Sequence, residues 1–336
     1  MNSEILKLTA QKMVTKGKGV LAADESTPTC TKRFESIGIK STSESRNKYR
    51  DMLFTTNGLE KYISGIIMFD ETIRQSTIHS KIPFPKYLNE KDILTGIKVD
   101  TGAKKLAGTN SEKITEGLDN LRDRIQEYRD LGASFAKWRG VVSIDTKNSI
   151  PSKACIHANA HALARYASIC QESDIVPIVE PEIIMDGDHD IEKCQEITKV
   201  VLNNVFDELS ILDVLLEGIV LKPNMVISGS AHPINDSVEN VAKLTLDTLI
   251  ACVPKEVPGI AFLSGGQDSS LATTHLNLIN KMSSNLTNIW RLTFSFGRAL
   301  QQDALNLWKE ENIKLSQEKL LYRAKMNSIA SQGLIE

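Results

Sequence analysis

Eight short apolar segments rich in β-branched residues recur along this chain, and each runs into an ionisable residue or a glycine turn near its C-terminal end. They are GVLAAD, ending at Asp24; GIIMFD, ending at Asp70; LTGIKVD, with Lys98; ASFAKW, with Lys137; VPIVEPE, with Glu180 and Glu182; GIVLKPN, with Lys222; GIAFLSGG, with Ser264; and RLTFSFGR, ending at Arg298. A charge inside an apolar strand is costly unless it is paired. Three strands carry a lysine near the same end, which places a site at one mouth of a parallel barrel.

The strand-end residues 24, 70, 98, 137, 180, 222, 264 and 298 are spaced by 46, 28, 39, 43, 42, 42 and 34 positions, the period of a strand, a loop and a crossover helix. Helical periodicity fills most gaps, at 43–54, 115–132, 152–172, 191–210 and 235–253. Ser152 and Asn235 stand where N-caps belong and Gly132 where a C′ glycine belongs. The gap between Asp70 and Lys98 holds Pro83 and Pro85, so its helix should be short or absent. The first residues, MNSEILKLTAQKMVTKGKG, read as an amphipathic helix with a glycine-rich exit, and KLSQEKLLYRAKMNSIASQG reads as one more helix after the last strand. These patterns predict an α/β protein: a single (β/α)8 barrel over residues 1–336 with an added helix at each end. An open doubly wound sheet is disfavoured, because no GxGxxG follows the first strand.

The chain's 336 residues suit one large barrel, and its 40 basic and 42 acidic residues give a net charge of −2. No strong field is available for nucleic acid or an anionic membrane, and neither is expected as a partner. No apolar run approaches the roughly 18 residues of a membrane span, and no signal-peptide core is visible. The odd count of five cysteines without CxxC spacing reads as reduced thiols, which suits the cytoplasm. Cys30, in a polar loop near Asp24, is the one candidate for a reactive thiol.

Residues two apart in a strand share a face, so Lys137 and Arg139 point together, as do Glu180 and Glu182. One mouth would then hold Asp24, Lys98, Lys137, Arg139, Glu180, Glu182, Lys222 and Arg298. A structural ion-pair network is the plain alternative, but mixed clusters in clefts are more often functional. The turn SGGQD (264–268), opening a helical pattern, lets backbone N–H groups approach an anion. SFGR (295–298) repeats the arrangement with an arginine. The loops after strands seven and eight are the recurrent phosphate site of such barrels.

A lysine among other cations loses proton affinity and becomes a nucleophilic amine, and Lys222, with Lys137 two strands away, fits. Such an amine forms an imine with a carbonyl substrate, and the imine is an electron sink for breaking an adjacent C–C bond. Glu180 and Asp24 can move the protons. From chemistry alone this is a lysine-dependent aldolase or transaldolase acting on a sugar phosphate, and it requires no metal or other cofactor.

The segments KGVLAADEST, GIKVD, LAGTN, FAKWR, PIVEPE, DGDHD, LKPNM, FLSGGQ and TFSFGRAL, in order from about Gly17 to about Gln332, resemble class I fructose-1,6-bisphosphate aldolases. The resemblance implies that Lys222 forms the Schiff base, Glu180 transfers protons with Glu182 beside the imine, and Lys137 tunes Lys222. It implies that Asp24 holds or deprotonates a substrate hydroxyl. Ser264, Gly265, Gly266, Ser295, Gly297 and Arg298 would hold the C1 phosphate, and Ser26, Thr29, Arg33, Lys98 and Arg139 the other. It further implies cleavage to dihydroxyacetone phosphate and glyceraldehyde 3-phosphate by a homotetramer. A Schiff-base aldolase for another ketose phosphate, such as tagatose 1,6-bisphosphate or a monophosphate, and a catalytically dead scaffold are the rival readings.

Three departures from the family pattern stand out. The chain ends at Gly333-Leu-Ile-Glu, whereas animal members continue into a tail finishing in a tyrosine. Enamine proton exchange and the preference for bisphosphate are expected to differ accordingly. STPTCTKR (26–33) replaces a more usual Ser-Thr-Gly-Ser, with Pro28 expected to stiffen a loop, and Phe296 stands where a tyrosine is common. His157 and His161 have i, i+4 spacing but read as a packed or surface pair, not as metal ligands. DGDHD (186–190) reads as a loop closing onto a helix N-terminus, and Trp138, Trp290 and Trp308 as packing residues.

Overall fold

A computed structural model describes residues 1–234, 236–286, 290–308 and 312–336. Its strands are β1 (Gly19–Ala22), β2 (Ile63–Met68), β3 (Leu94–Lys98), β4 (Gly102–Lys105), β5 (Lys113–Glu116), β6 (Phe135–Val142), β7 (Val176–Ile183), β8 (Val220–Leu221), β9 (Gly259–Phe262) and β10 (Arg291–Phe296). All but β4 and β5 close into a barrel in chain order, every neighbouring pair parallel. This is the expected (β/α)8 barrel. Among the described residues no helix is long and apolar enough to cross a membrane.

The helices are α1 (Ser3–Met13), α2 (Thr27–Ser36), α3 (Ser43–Phe54), α4 (Asp70–Ile73), α5 (Phe84–Glu90), α6 (Leu121–Asp130), α7 (Lys153–Glu172), α8 (Ile191–Ile211), α9 (Val238–Cys252), α10 (Ser269–Ser283), α11 (Arg298–Trp308) and α12 (Ile313–Ala330). Local chemistry sets their ends. Ser152 caps α7 by accepting from Cys155 N–H, and Asp190 caps α8 by accepting from Lys193 N–H, so DGDHD does close onto a helix N-terminus. Gly132 follows α6 with φ 104°, the left-handed conformation of a C′ glycine. Asn235, expected as an N-cap, lies outside the described residues; Ser237 caps α9. Between β2 and β3 only the short α4 and α5 form, as the prolines required.

One expected helix is wrong in its first third. Residues 115–120 do not belong to α6; Lys113–Glu116 pairs antiparallel with Gly102–Lys105 in a hairpin after β3. The hairpin docks on the barrel, where Thr115 Oγ1 donates to Arg139 O at 2.7 Å and Asn159 Oδ1 accepts from Thr115 N–H at 3.3 Å. These tertiary bonds outweigh the helical periodicity of the segment.

The strand interiors explain where the mouth is. Val20, Ala22, Ile67, Phe135, Val176, Ile178, Val220 and Ala261 form a cluster that Leu6, Ala10, Met13 and Val14 of the N-terminal segment plug at one end. The same inward columns continue upward as ions: Phe135 is followed two and four residues later by Lys137 and Arg139, and Ile178 by Glu180 and Glu182. Gly96 makes room in this floor, since a Cβ there would lie 2.1 Å from the Phe135 ring. The outward faces carry the second core layer, in which Trp138 stacks on Tyr166 at 5.6 Å. Trp308 packs at 5.2 Å from both Phe34 and Tyr49.

Candidate active site

The open mouth encloses a cavity of about 750 Å³. Every candidate catalytic and phosphate-binding residue drawn from the sequence lines it: the acids Asp24, Glu180 and Glu182, the cations Arg33, Lys98, Lys137, Arg139, Lys222 and Arg298, and the hydroxyls and glycines of Ser26, Thr29, Ser264, Gly265, Gly266, Ser295 and Gly297.

Lys222 stands one residue past β8. Its backbone N–H donates to Val179 O at 2.8 Å, and Asn224 Oδ1 accepts from Ile183 N–H at 2.9 Å. The LKPN segment is thus fastened along β7, which supplies the acids. Lys222 Nζ lies 3.2 Å from Glu180 Oε1, Glu180 Oε2 lies 3.5 Å from Lys137 Nζ, and Lys137 Nζ lies 2.7 Å from Asp24 Oδ2. The result is a buried row, lysine–glutamate–lysine–aspartate. Glu180 Oε2 makes no hydrogen bond, so it has capacity to accept a proton or a substrate hydroxyl.

Electrostatics fixes the charge of the outer pair. Burial pushes the Asp24 carboxyl up, but Lys137, Lys222 and Lys98 outweigh it and hold its pKa at about 2. Burial likewise opposes the Lys137 ammonium, yet Asp24 and Glu180 carry its pKa well above the usual lysine range. Arg139 Nε donates to Glu182 Oε2, and Glu182 raises the arginine against the pull of burial. Glu182 is therefore engaged by Arg139, and no ion pair joins it to Lys222 among the described residues. Lys98 Nζ is 2.5 Å from Asp100 Oδ1.

Next to β8, after β9, Gly265 and Gly266 have φ of 57° and 81°, so the SGG turn needs residues without a Cβ. A Cβ on Gly266 would lie 3.3 Å from Arg298 Nη2, which places the guanidinium against the turn. Ser295 Oγ is buried without a hydrogen-bond partner. The helix N-terminus expected after SGGQD is occupied: Asp268 accepts from Ser270 and Leu271 N–H. The helix that starts directly at the cavity is α11, through Gly297 and Arg298.

Two departures look different in three dimensions. Pro28 is not in a loop but in the first turn of α2, where its missing N–H costs no helical bond. The N-cap Ser26 makes no capping bond; its Oγ lies 3.1 Å from Thr29 Oγ1, and both line the cavity. Phe296 faces the outer layer, 5.6 Å from Phe294, so the missing hydroxyl would not have reached the cavity from there.

The histidine pair and Cys30 stand apart from the mouth, whereas Asp70 lines it. His157 and His161 both hold Glu208, at 3.2 and 2.9 Å, between α7 and α8. Cys30 is buried and burial raises its pKa, the opposite of a reactive thiol. Asp70 accepts from Tyr128 Oη at 3.0 Å and pairs with Arg74 at the rim. Sequence reasoning missed Glu25 and Asp100, which also line the cavity. Asp100 was within reach of the two-residue rule from Lys98; nothing local marked Glu25.

The family model described as fructose-bisphosphate aldolase class-I matches residues 5–336. A protein named probable fructose-bisphosphate aldolase class 1 from Xanthomonas campestris is 52% identical over 336 residues, covering 99% of both chains. Fructose-bisphosphate aldolase, muscle type, from Lethenteron camtschaticum is 51% identical over 96% of this chain and 89% of its own. A solved structure of fructose-bisphosphate aldolase from Plasmodium falciparum, in complex with TRAP and a small-molecule inhibitor, superposes with a TM-score of 0.96. It is 48% identical and covers 99% of this chain and 96% of its own.

Proposed function

The chain belongs to the class I fructose-bisphosphate aldolase family, and from that premise we propose that it reversibly cleaves fructose 1,6-bisphosphate through an imine on Lys222. The observation that carries the residue roles is the 3.2 Å contact between the buried Lys222 Nζ and Glu180.

The steps follow from the row of charges. Lys222 adds to the C2 carbonyl, and Glu180 gives a proton to the hydroxyl that leaves as water. The iminium then accepts the electrons of the breaking C3–C4 bond, forming an enamine. Asp24, held ionised at about pKa 2, is a poor base but a strong acceptor, so it orients the C4 hydroxyl while Glu180 takes the proton. Lys137, between the two carboxylates, holds Asp24 ionised and balances the charge on Glu180 whenever that residue has given up its proton. Reprotonation of the enamine and hydrolysis release dihydroxyacetone phosphate; glyceraldehyde 3-phosphate leaves first.

The two phosphates are held by two separate sets of cavity residues. The SGG turn, Ser295 and Arg298 take the C1 phosphate, and Ser26, Thr29, Arg33, Lys98 and Arg139 the other. Residues 1–336 act as one catalytic domain, in a cytoplasmic homotetramer whose mass sedimentation measures.

The assay couples triose phosphate formation to a dye, with EDTA present, on fructose and tagatose bisphosphates. Turnover of the fructose substrate in chelator is expected, with kcat/KM about tenfold or more above that for tagatose. Absence of triose phosphates would contradict the activity, and equal kcat/KM the fructose preference.

A further inference from the structure

In the cavity wall, next to Asp24, one carboxylate gathers three helices. Glu25 Oε1 accepts from Arg33 Nη1 at 2.5 Å and from Gln301 Nε2 at 3.1 Å, and Oε2 lies 2.7 Å from Arg50 Nη2. Arg33 comes from α2, Arg50 from α3 and Gln301 from α11. Gln301 is wholly buried; it also donates to Ala22 O at 2.7 Å and accepts from Tyr49 Oη at 3.1 Å. Arg50 lies 5.6 Å from the centre of the Tyr49 ring.

This arrangement is expensive if it is only structural. Arg50 is 2% exposed and its Nη1 has no hydrogen-bond partner, and a buried ion pair seldom outperforms apolar packing. Its geometry suits another task. A bare carboxylate beside a phosphate site repels the ligand. Two arginines on one glutamate leave the cluster with one net positive charge, facing Ser26 and Thr29. Arg33 has five N–H donors, and only Nη1 is spent on the protein among the described residues. A guanidinium held by one edge presents the rest without first losing rotamer entropy.

We infer that Glu25 is a positioning residue for the substrate: it clamps Arg33 at the cavity wall so that the end of the sugar remote from C1 meets a pre-set phosphate grip. The inference rests on the aldolase reading and on Arg33 serving the second phosphate. It makes Glu25 a determinant of the preference for bisphosphate over monophosphate. Gln301 can still donate to a glutamine at position 25, so Glu25→Gln removes the charge clamp and leaves the tie to α11.

The test is steady-state kinetics of the full-length Glu25→Gln protein on fructose 1,6-bisphosphate and fructose 1-phosphate. The ratio of the two KM values, bisphosphate over monophosphate, is expected to rise about tenfold, the loss of one charge-assisted bond. In an Arg33→Ala background the same change is expected to leave that ratio within about twofold, because the residue acts through Arg33. Glu25→Gln strands Arg50 in the interior, so Glu25→Gln/Arg50→Met, which removes both charges, is measured beside it and should shift the ratio alike. An unchanged ratio, or an effect of equal size with and without Arg33, overturns the inference. Borohydride trapping of the wild-type protein with the bisphosphate reports on the site separately. An adduct on Lys222 with an unchanged ratio removes the role of Glu25 alone; no adduct on Lys222 overturns the aldolase reading and the inference with it.

Discussion

Glu180 stands between two lysines, 3.2 Å from Lys222 through one oxygen and 3.5 Å from Lys137 through the other. The ladders of β7 with β6 and β8 set this arrangement: Lys137 is in register with Ile178, two residues below Glu180 on the same face, and Val220, two residues before Lys222, is in register with the same Ile178. A carboxylate so held can pass a proton to or from the reacting nitrogen without moving.

Replacing this residue tests that role. Glu180→Gln keeps the size and most packing, and kcat is expected to fall by about 100-fold to 10,000-fold, the span of a lost acid–base catalyst. KM should change much less. A kcat within a factor of about three of wild type would show that protons travel by another route.

The Asp24–Lys137 pair makes stability depend on acidity. The folded carboxyl keeps its charge down to about pH 2, whereas its ordinary value is 3.8. The folded pKa is depressed, so the contribution is complete above pH 3.8 and is lost as the pH falls towards 2. Its size is about 2 kcal/mol. Urea unfolding of wild type and Asp24→Asn between about pH 6 and pH 2 should show the wild type losing that much more. Parallel curves would contradict the pairing.

The two sets of phosphate residues can be told apart by substrate. Arg298→Ala removes a grip on the phosphate that fructose 1,6-bisphosphate and fructose 1-phosphate share, so KM should rise about tenfold or more for both. Arg139→Ala should raise it by a similar factor for the bisphosphate alone. The reverse pattern would exchange the two phosphate assignments.

Gly96 carries a packing prediction independent of chemistry. A methyl group there would lie 2.1 Å from the Phe135 ring that fills the barrel floor. Gly96→Ala is expected to cost about 1–3 kcal/mol, read as a lower urea midpoint. An unchanged midpoint would mean that Phe135 has room to turn.

Much of this mouth was legible in the sequence because a strand has a period of two. From Lys137 and Glu180 alone, alternation placed Arg139 and Glu182 on the same face, and the structure pairs those two with each other. Applied to Lys98, the same rule would have reached Asp100. What escaped was tertiary. The hairpin at Lys113–Glu116 reads as helix until Asn159 and the Arg139 carbonyl claim Thr115. The SGGQD helix looked available to an anion until Asp268 folded onto its own backbone. Glu25 had no periodic signal, since its partners Arg33, Arg50 and Gln301 come from helices far apart in the chain.

The central claim is that Lys222 is the nucleophile, and borohydride reduction with fructose 1,6-bisphosphate tests it most directly. Peptide mass mapping should find one reduced adduct, on the peptide containing Lys222, and none in Lys222→Met. An adduct on Lys98 or Lys137 instead, or none while turnover continues, would contradict the account.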